Sequence, residues 1–151
     1  IEYEVIPGVS SFTAACSAIK KEFTIPNVSQ TVILTRIDGR TSVPKEEDLE
    51  LLAKHRASMS LFLSVRDMDK VVEKLIKGYG REDVPVAIVY KATWDDEKII
   101  MGTLKDIREK VEQEGITKTA QILVGDFIKG KYERSELYNP SFSHEYREAS
   151  K

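Results

Sequence analysis

The chain has 151 residues, 23 basic against 25 acidic, for a formal charge of −2, with 41% apolar and 32% charged residues. That suits one domain with a real core and lacks the basic excess of a broad nucleic-acid footprint. One cysteine, Cys16, excludes an internal disulfide framework and a multi-cysteine zinc site, two histidines leave little for a metal cluster, and no apolar run approaches the ~20 residues that span a bilayer.

Residues 1–6, Ile-Glu-Tyr-Glu-Val-Ile, alternate and read as a strand, and Pro7-Gly8 is a turn signal. The chain opens on Ile inside that pattern and shows no signal peptide, so it is expected to be a piece of something longer. Ser10 and Ser11 offer N-caps to a helix with Phe12, Ala15, Cys16, Ile19 and Phe23 on its apolar face, broken by Pro26 and Asn27. Residues 31–35 are a β-branched strand expected to be buried on both faces. A polar loop over 36–44 follows, around Asp38-Gly39. Then comes a short helix with Glu46, Glu47 and Asp48 in its first turn, where the helix dipole favours negative charge.

Residues 58–63 are the next strand. Met68, Val71, Val72, Leu75, Ile76 and Tyr79 form one helical stripe, expected to stop at Gly78 and Gly80. Pro85 opens a strand over 86–90, and 98–101 pairs back as a hairpin after a turn over 93–97. Thr103 and Asp106 resemble a capping box ahead of a helix with Leu104, Ile107 and Val111, ended by Gly115. Residues 121–124 are the last core strand, and the chain from Asp126 on has weak periodicity. Strands and helices alternate, so the expected fold is α/β, a mixed sheet of about five strands flanked by helices.

Four places carry candidate chemistry. The segment from Pro7 to Ser11 enters a helix and would present N–H groups and hydroxyls to a polar ligand; the alternative is a plain capped helix. Arg36 and Arg40 follow a strand's carboxyl end, where α/β ligands gather, and suit carboxylates; the alternative is a solvated loop. In Tyr90-Lys91-Ala92-Thr93-Trp94 a small residue lets a flat ring approach the backbone; alternatively Trp94 covers an apolar edge. The tail over 137–147 is dense in aromatic, His and Arg groups, and could line an anionic ligand, meet another subunit or simply fray. His144 has no Asp or Ser partner placed by sequence, Cys16 reads as core, and His55 reads as a helix-end residue.

Taken in order, these motifs resemble the tetrapyrrole (corrin/porphyrin) methylases. The match runs through Val5-Ile6-Pro7-Gly8-Val9-Ser10-Ser11, the stretch from Val28 to Arg36, Gly39-Arg40-Thr41, Val89 to Trp94, Ile100 to Leu104, Gln121 to Gly125 and the tail. Ser29 to Arg36, and Leu137-Tyr138 with His144-Glu145-Tyr146-Arg147, are similar to the branch that methylates precorrin-4 at ring carbon 11 in cobalamin synthesis. The resemblance implies a two-domain, cytoplasmic, homodimeric enzyme with S-adenosylmethionine in the cleft, a tetrapyrrole substrate and S-adenosylhomocysteine as product. It implies that residues 1–151 are the C-terminal domain, inactive alone, because the glycine-rich motifs of the N-terminal domain are absent. It assigns Ser10, Ser11, Leu63, Ala92, Ala120 and Gln121 to the cofactor and suggests Arg36 and Arg40 for the substrate's acids. It names no catalytic residue, no metal and no nucleic-acid or membrane partner. The alternatives are another branch, such as uroporphyrinogen methyltransferase, or a non-catalytic binding or dimerisation module.

Overall fold

Among the described residues five strands build one sheet: β1 (Val32–Thr35), β2 (Ser58–Leu61), β3 (Pro85–Tyr90), β4 (Lys98–Thr103) and β5 (Ala120–Val124). Their spatial order is β1-β2-β5-β3-β4. β1 and β2 run parallel, and β2–β5, β5–β3 and β3–β4 are antiparallel, so the sheet is mixed, with the expected hairpin. This computed structural model describes residues 1–131 and 139–149. Helices α1 (Ser11–Ala18), α2 (Leu49–Ala53), α3 (Met68–Tyr79) and α4 (Ile107–Gln113) cover the two faces.

Period-2 alternation divides the core. Met59 and Leu61, Val86 and Ile88, and Ile122 and Val124 point to the face covered by α2, α3 and α4. Ala87, Val89 and Leu123 point to the other face, where Ala15 and Cys16 of α1 pack with Phe127 and Ile128. Phe23 joins that cluster, its ring 5.8 Å from Phe12 and 5.0 Å from Phe127. Cys16 is core as expected; burial pushes its thiol up to about 11, and the thiol donates to the Lys21 carbonyl at 3.1 Å.

Several expectations change. Residues 1–6 form no strand and are exposed, because alternation supplies a pattern but no neighbouring strand lies there among the described residues. Among the described residues β1 is an edge strand, so it is only partly buried and Leu34 stays 47% exposed. α1 stops at Ala18, short of Phe23, and Lys20 reverses the chain at φ +54°. β2 ends at Leu61, short of Leu63, whose φ is also positive.

Gly80 ends α3 in the left-handed conformation, but Gly78 lies inside the helix. A Cβ on Gly78 would sit 2.4 Å from the Glu50 carbonyl and 2.5 Å from Ala53 Cβ, so this glycine lets α2 and α3 touch. The box before α4 is one-sided: Asp106 accepts from the Thr103 N–H at 2.6 Å and from its hydroxyl at 3.1 Å. Of the tail, Leu137 and Tyr138 lie outside the described residues. His144 and Arg147 close a small turn, with the Arg147 guanidinium donating to the Asn139 carbonyl at 2.7 Å.

Candidate functional site

A cavity of about 400 Å³ opens at the sheet edge where β2 and β3 end and β5 begins. Its walls include Ser11, Phe62, Leu63, Val89, Ala92, Ala120 and Gln121, with Arg66, Lys91, Trp94 and Lys118 also facing it. The topology explains the convergence. β5 runs antiparallel to β2 and β3, so its first residues share an edge with their last ones, and the first turn of α1 lies above.

Gln121 is the hub beneath this cavity. It is 5% exposed, and its amide nitrogen donates to Ser60 Oγ at 2.8 Å and to the Leu61 carbonyl at 2.9 Å. Its oxygen accepts from Ser11 Oγ at 3.0 Å. The chain Ser11–Gln121–Ser60 thus pins the start of α1 to β5 and β2. A buried polar group requires such partners, and here all three are supplied.

The rim is built from unusual backbone. Among the described residues seven non-glycine positions have positive φ, and four line or adjoin the cavity: Leu63 at 54°, Lys91 at 48°, Thr93 at 73° and Thr119 at 57°. Each such residue stores of order 1–3 kcal/mol, and such strain concentrates at functional sites. The turn after β3 is held by Lys91 N–H to the Thr119 carbonyl at 2.9 Å and by Thr93 N–H to Glu97 Oε2 at 2.7 Å.

Lys91 pairs with Asp96 at 2.5 Å, and its ammonium lies 5.4 Å from the Trp94 ring centroid and 5.1 Å from that of Tyr90. The Asp96 carboxylate is the main cause that lifts Lys91 above the usual lysine range. Trp94 remains 61% exposed and Leu63 88% exposed, so the mouth is apolar. Trp94 stands at the cavity with the Lys91 cation beside it.

Five of the six residues expected to touch a cofactor meet here: Ser11, Leu63, Ala92, Ala120 and Gln121. Ser10 is exposed and outside the lining, and its hydroxyl makes no capping bond. Its carbonyl instead accepts from the Thr13 hydroxyl at 2.7 Å and the Ala14 N–H at 3.1 Å. The expected strand-to-helix turn at Pro7-Gly8 does not form, since no strand precedes it. Arg36 lies in a second, open groove of about 440 Å³ beside β1, lined also by Leu34, Val43, Pro44, Glu47 and Phe62. Its guanidinium donates to the carbonyls of Ile37, Thr41 and Ser42 at 3.1, 3.0 and 2.8 Å, so it folds its own loop. Arg40 is exposed and lines neither space. Sequence reading missed Phe62, Val65, Arg66 and residues 117–119. Nothing in the spacing marks them, because the fold brings them in from separate turns.

The tetrapyrrole (corrin/porphyrin) methylase family model matches residues 1–108. The chain belongs to that family. One member, cobalt-precorrin-4 C(11)-methyltransferase of Methanocaldococcus jannaschii, is 57% identical over 152 residues, which cover all of this chain and 59% of that protein. A solved structure of a cobalamin biosynthetic enzyme, cobalt precorrin-4 methyltransferase, superposes with a TM-score of 0.81 at 49% identity, over 83% of this chain and 52% of that one. A Methanosarcina barkeri protein named S-adenosyl-L-methionine-dependent uroporphyrinogen III methyltransferase is 31% identical over 133 residues, 85% of this chain and 51% of that protein. The chain therefore spans about three fifths of the first relative and about half of the others. Of the proteins named here, the two precorrin-4 methyltransferases are more like this chain, at 57% and 49% identity, than the uroporphyrinogen methyltransferase, at 31%.

Proposed function

We propose that this chain is the C-terminal domain of a precorrin-4 or cobalt-precorrin-4 C(11)-methyltransferase and forms one wall of its S-adenosylmethionine site. The observation that carries the reading is the cavity of about 400 Å³ that gathers Ser11, Leu63, Ala92, Ala120 and Gln121 at one sheet edge. Its size is in the range of small-molecule sites. The residues fit the cofactor. Ala92 and Ala120 are short enough to admit a flat base to the strand ends, while Val65 and Val89 supply apolar walls. Arg66 and Lys118 offer cations for an amino-acid carboxylate. Ser10 adjoins this wall through Ser11.

Bound there, S-adenosylmethionine supplies a methyl group already activated on sulfur, and S-adenosylhomocysteine is left. The chain's own residues then have positional work: they hold the reactants and exclude water. The Ser11–Gln121–Ser60 chain keeps the floor rigid. Leu63 and Trp94 give the mouth an apolar lip that a second wall can cover. The neighbouring groove with Arg36 is the place for the acceptor, because Phe62 lines both spaces and transfer needs them adjacent. Arg36 shapes that loop, and the exposed Arg40 is its cation for the tetrapyrrole's carboxylates.

The same reading makes the working enzyme a cytoplasmic homodimer whose N-terminal domain supplies the opposite wall. Among the described residues no helix is long and apolar enough to cross a membrane. The test is methyl transfer by the two-domain protein. Methylation of precorrin-4 or its cobalt complex is expected, and transfer to uroporphyrinogen alone refutes the branch.

A further inference from the structure

Ser64 is fully buried. It follows Leu63, where positive φ turns the chain away from β2 at the cavity wall. Its hydroxyl donates to the Phe62 carbonyl at 2.7 Å and accepts the Ile37 N–H at 3.0 Å. Ile37 is buried and belongs to the loop over 36–42, which carries both arginines. Apart from this bond the loop is folded mainly on itself. Arg36 donates to three of its carbonyls, and the Gly39 N–H bonds the Thr41 carbonyl at 3.2 Å.

A second tether holds the loop from the helix side. Lys70 and Lys74 of α3 reach Asp38 at 2.7 and 3.7 Å. Asp38 is 40% exposed there, so water and salt weaken those pairs. The serine bond is dry, and its removal leaves a buried N–H without its acceptor. Phe62, held by Ser64 at its carbonyl, donates its own N–H to the Thr35 carbonyl at 2.8 Å and lines both cavity and groove.

We propose that Ser64 is a positioning residue that fixes the arginine loop, and the groove beside β1, at a set distance from the cavity that Gln121 underlies. The identities of the two ligands rest on the proposed function; the tether does not. A matched control exists in Ser58, 1% exposed at the start of β2, whose hydroxyl donates to the Phe23 carbonyl at 2.6 Å, away from the loop.

Amide hydrogen exchange on this 151-residue chain tests the tether. In Ser64→Ala the Ile37 amide is expected to exchange at least about tenfold faster, with the Phe62 amide unchanged. Ser64→Cys, which keeps the size and a weak donor and acceptor, gives an intermediate rate, and Ser58→Ala leaves Ile37 unchanged. An unaltered Ile37 rate, or equal acceleration of Ile37 and Phe62, overturns the proposal. In the two-domain enzyme, Ser64→Ala is expected to raise KM for the tetrapyrrole about tenfold while S-adenosylhomocysteine affinity moves by less than about twofold. The same KM change in Ser58→Ala also overturns it. A wild-type enzyme that methylates no tetrapyrrole refutes the functional reading instead, and the exchange result still decides the tether.

Discussion

Replacing Gln121 with leucine keeps the approximate size of the side chain and removes all three of its hydrogen bonds. Ser11 is exposed, so its hydroxyl turns to water at little cost. Ser60 is 0% exposed and cannot do so, and the Leu61 carbonyl loses a donor in the same dry place. Each stranded group costs about 1–3 kcal/mol, and burying leucine returns about 1–2 kcal/mol. The net expectation is a loss of about 2–3 kcal/mol, or about 4–12 °C in Tm for a domain of this size. Urea unfolding at constant m measures it. Adding Ser60→Ala removes one stranded group and is expected to recover about 1 kcal/mol, a non-additivity only contact residues show. A leucine variant as stable as the wild type, or strictly additive behaviour in the double variant, contradicts the account of the cavity floor.

Gly78→Ala gains up to about 1 kcal/mol of helix propensity but drives a Cβ into the Glu50 carbonyl and Ala53. The helices must part, and a net loss of about 1–3 kcal/mol is expected by thermal unfolding, whereas alanine at an open helix position stabilises. Asp106 is held at about 2 from its ordinary 3.8, first by Lys110 and then by the Thr103 N–H. Its folded pKa is depressed, so its contribution is complete above pH 3.8 and disappears as pH falls to about 2. With the side chain 44% exposed, screening reduces that contribution to about 1 kcal/mol. Asp106→Asn is expected to flatten the stability profile over that acid range, and an unchanged profile contradicts the assignment.

The sheet and its helices were legible because their signals are local. The α3 stripe from Met68 to Tyr79, the hairpin after Pro85 and the strand before Gly125 all appear where the patterns place them. Edge position was not legible. Residues 31–35 have the composition of a central strand, and only the sheet order shows that β1 has one neighbour among the described residues. Residues 1–6 mislead for a related reason, since alternation is satisfied only when another strand supplies the hydrogen bonds. Of the site, Ala92 and Leu63 could be matched by motif, but the Gln121 bonds to Ser60 and Ser11 join positions 61 and 110 residues apart. Arg36 shows the same limit: its residue type suggested a carboxylate, while the fold gives it three carbonyls of its own loop.

The central claim is that the cavity between Ser11, Leu63, Ala92 and Gln121 holds the cofactor. Titrating S-adenosylhomocysteine into the isotopically labelled chain and following backbone amides by NMR tests it most directly. Binding is expected, with shifts concentrated at Ser11, Leu63, Ala92, Ala120 and Gln121. It predicts that Ala92→Trp abolishes those shifts while leaving the rest of the spectrum folded. Shifts centred elsewhere, no shifts at saturating ligand, or a pattern unaffected by Ala92→Trp would contradict it.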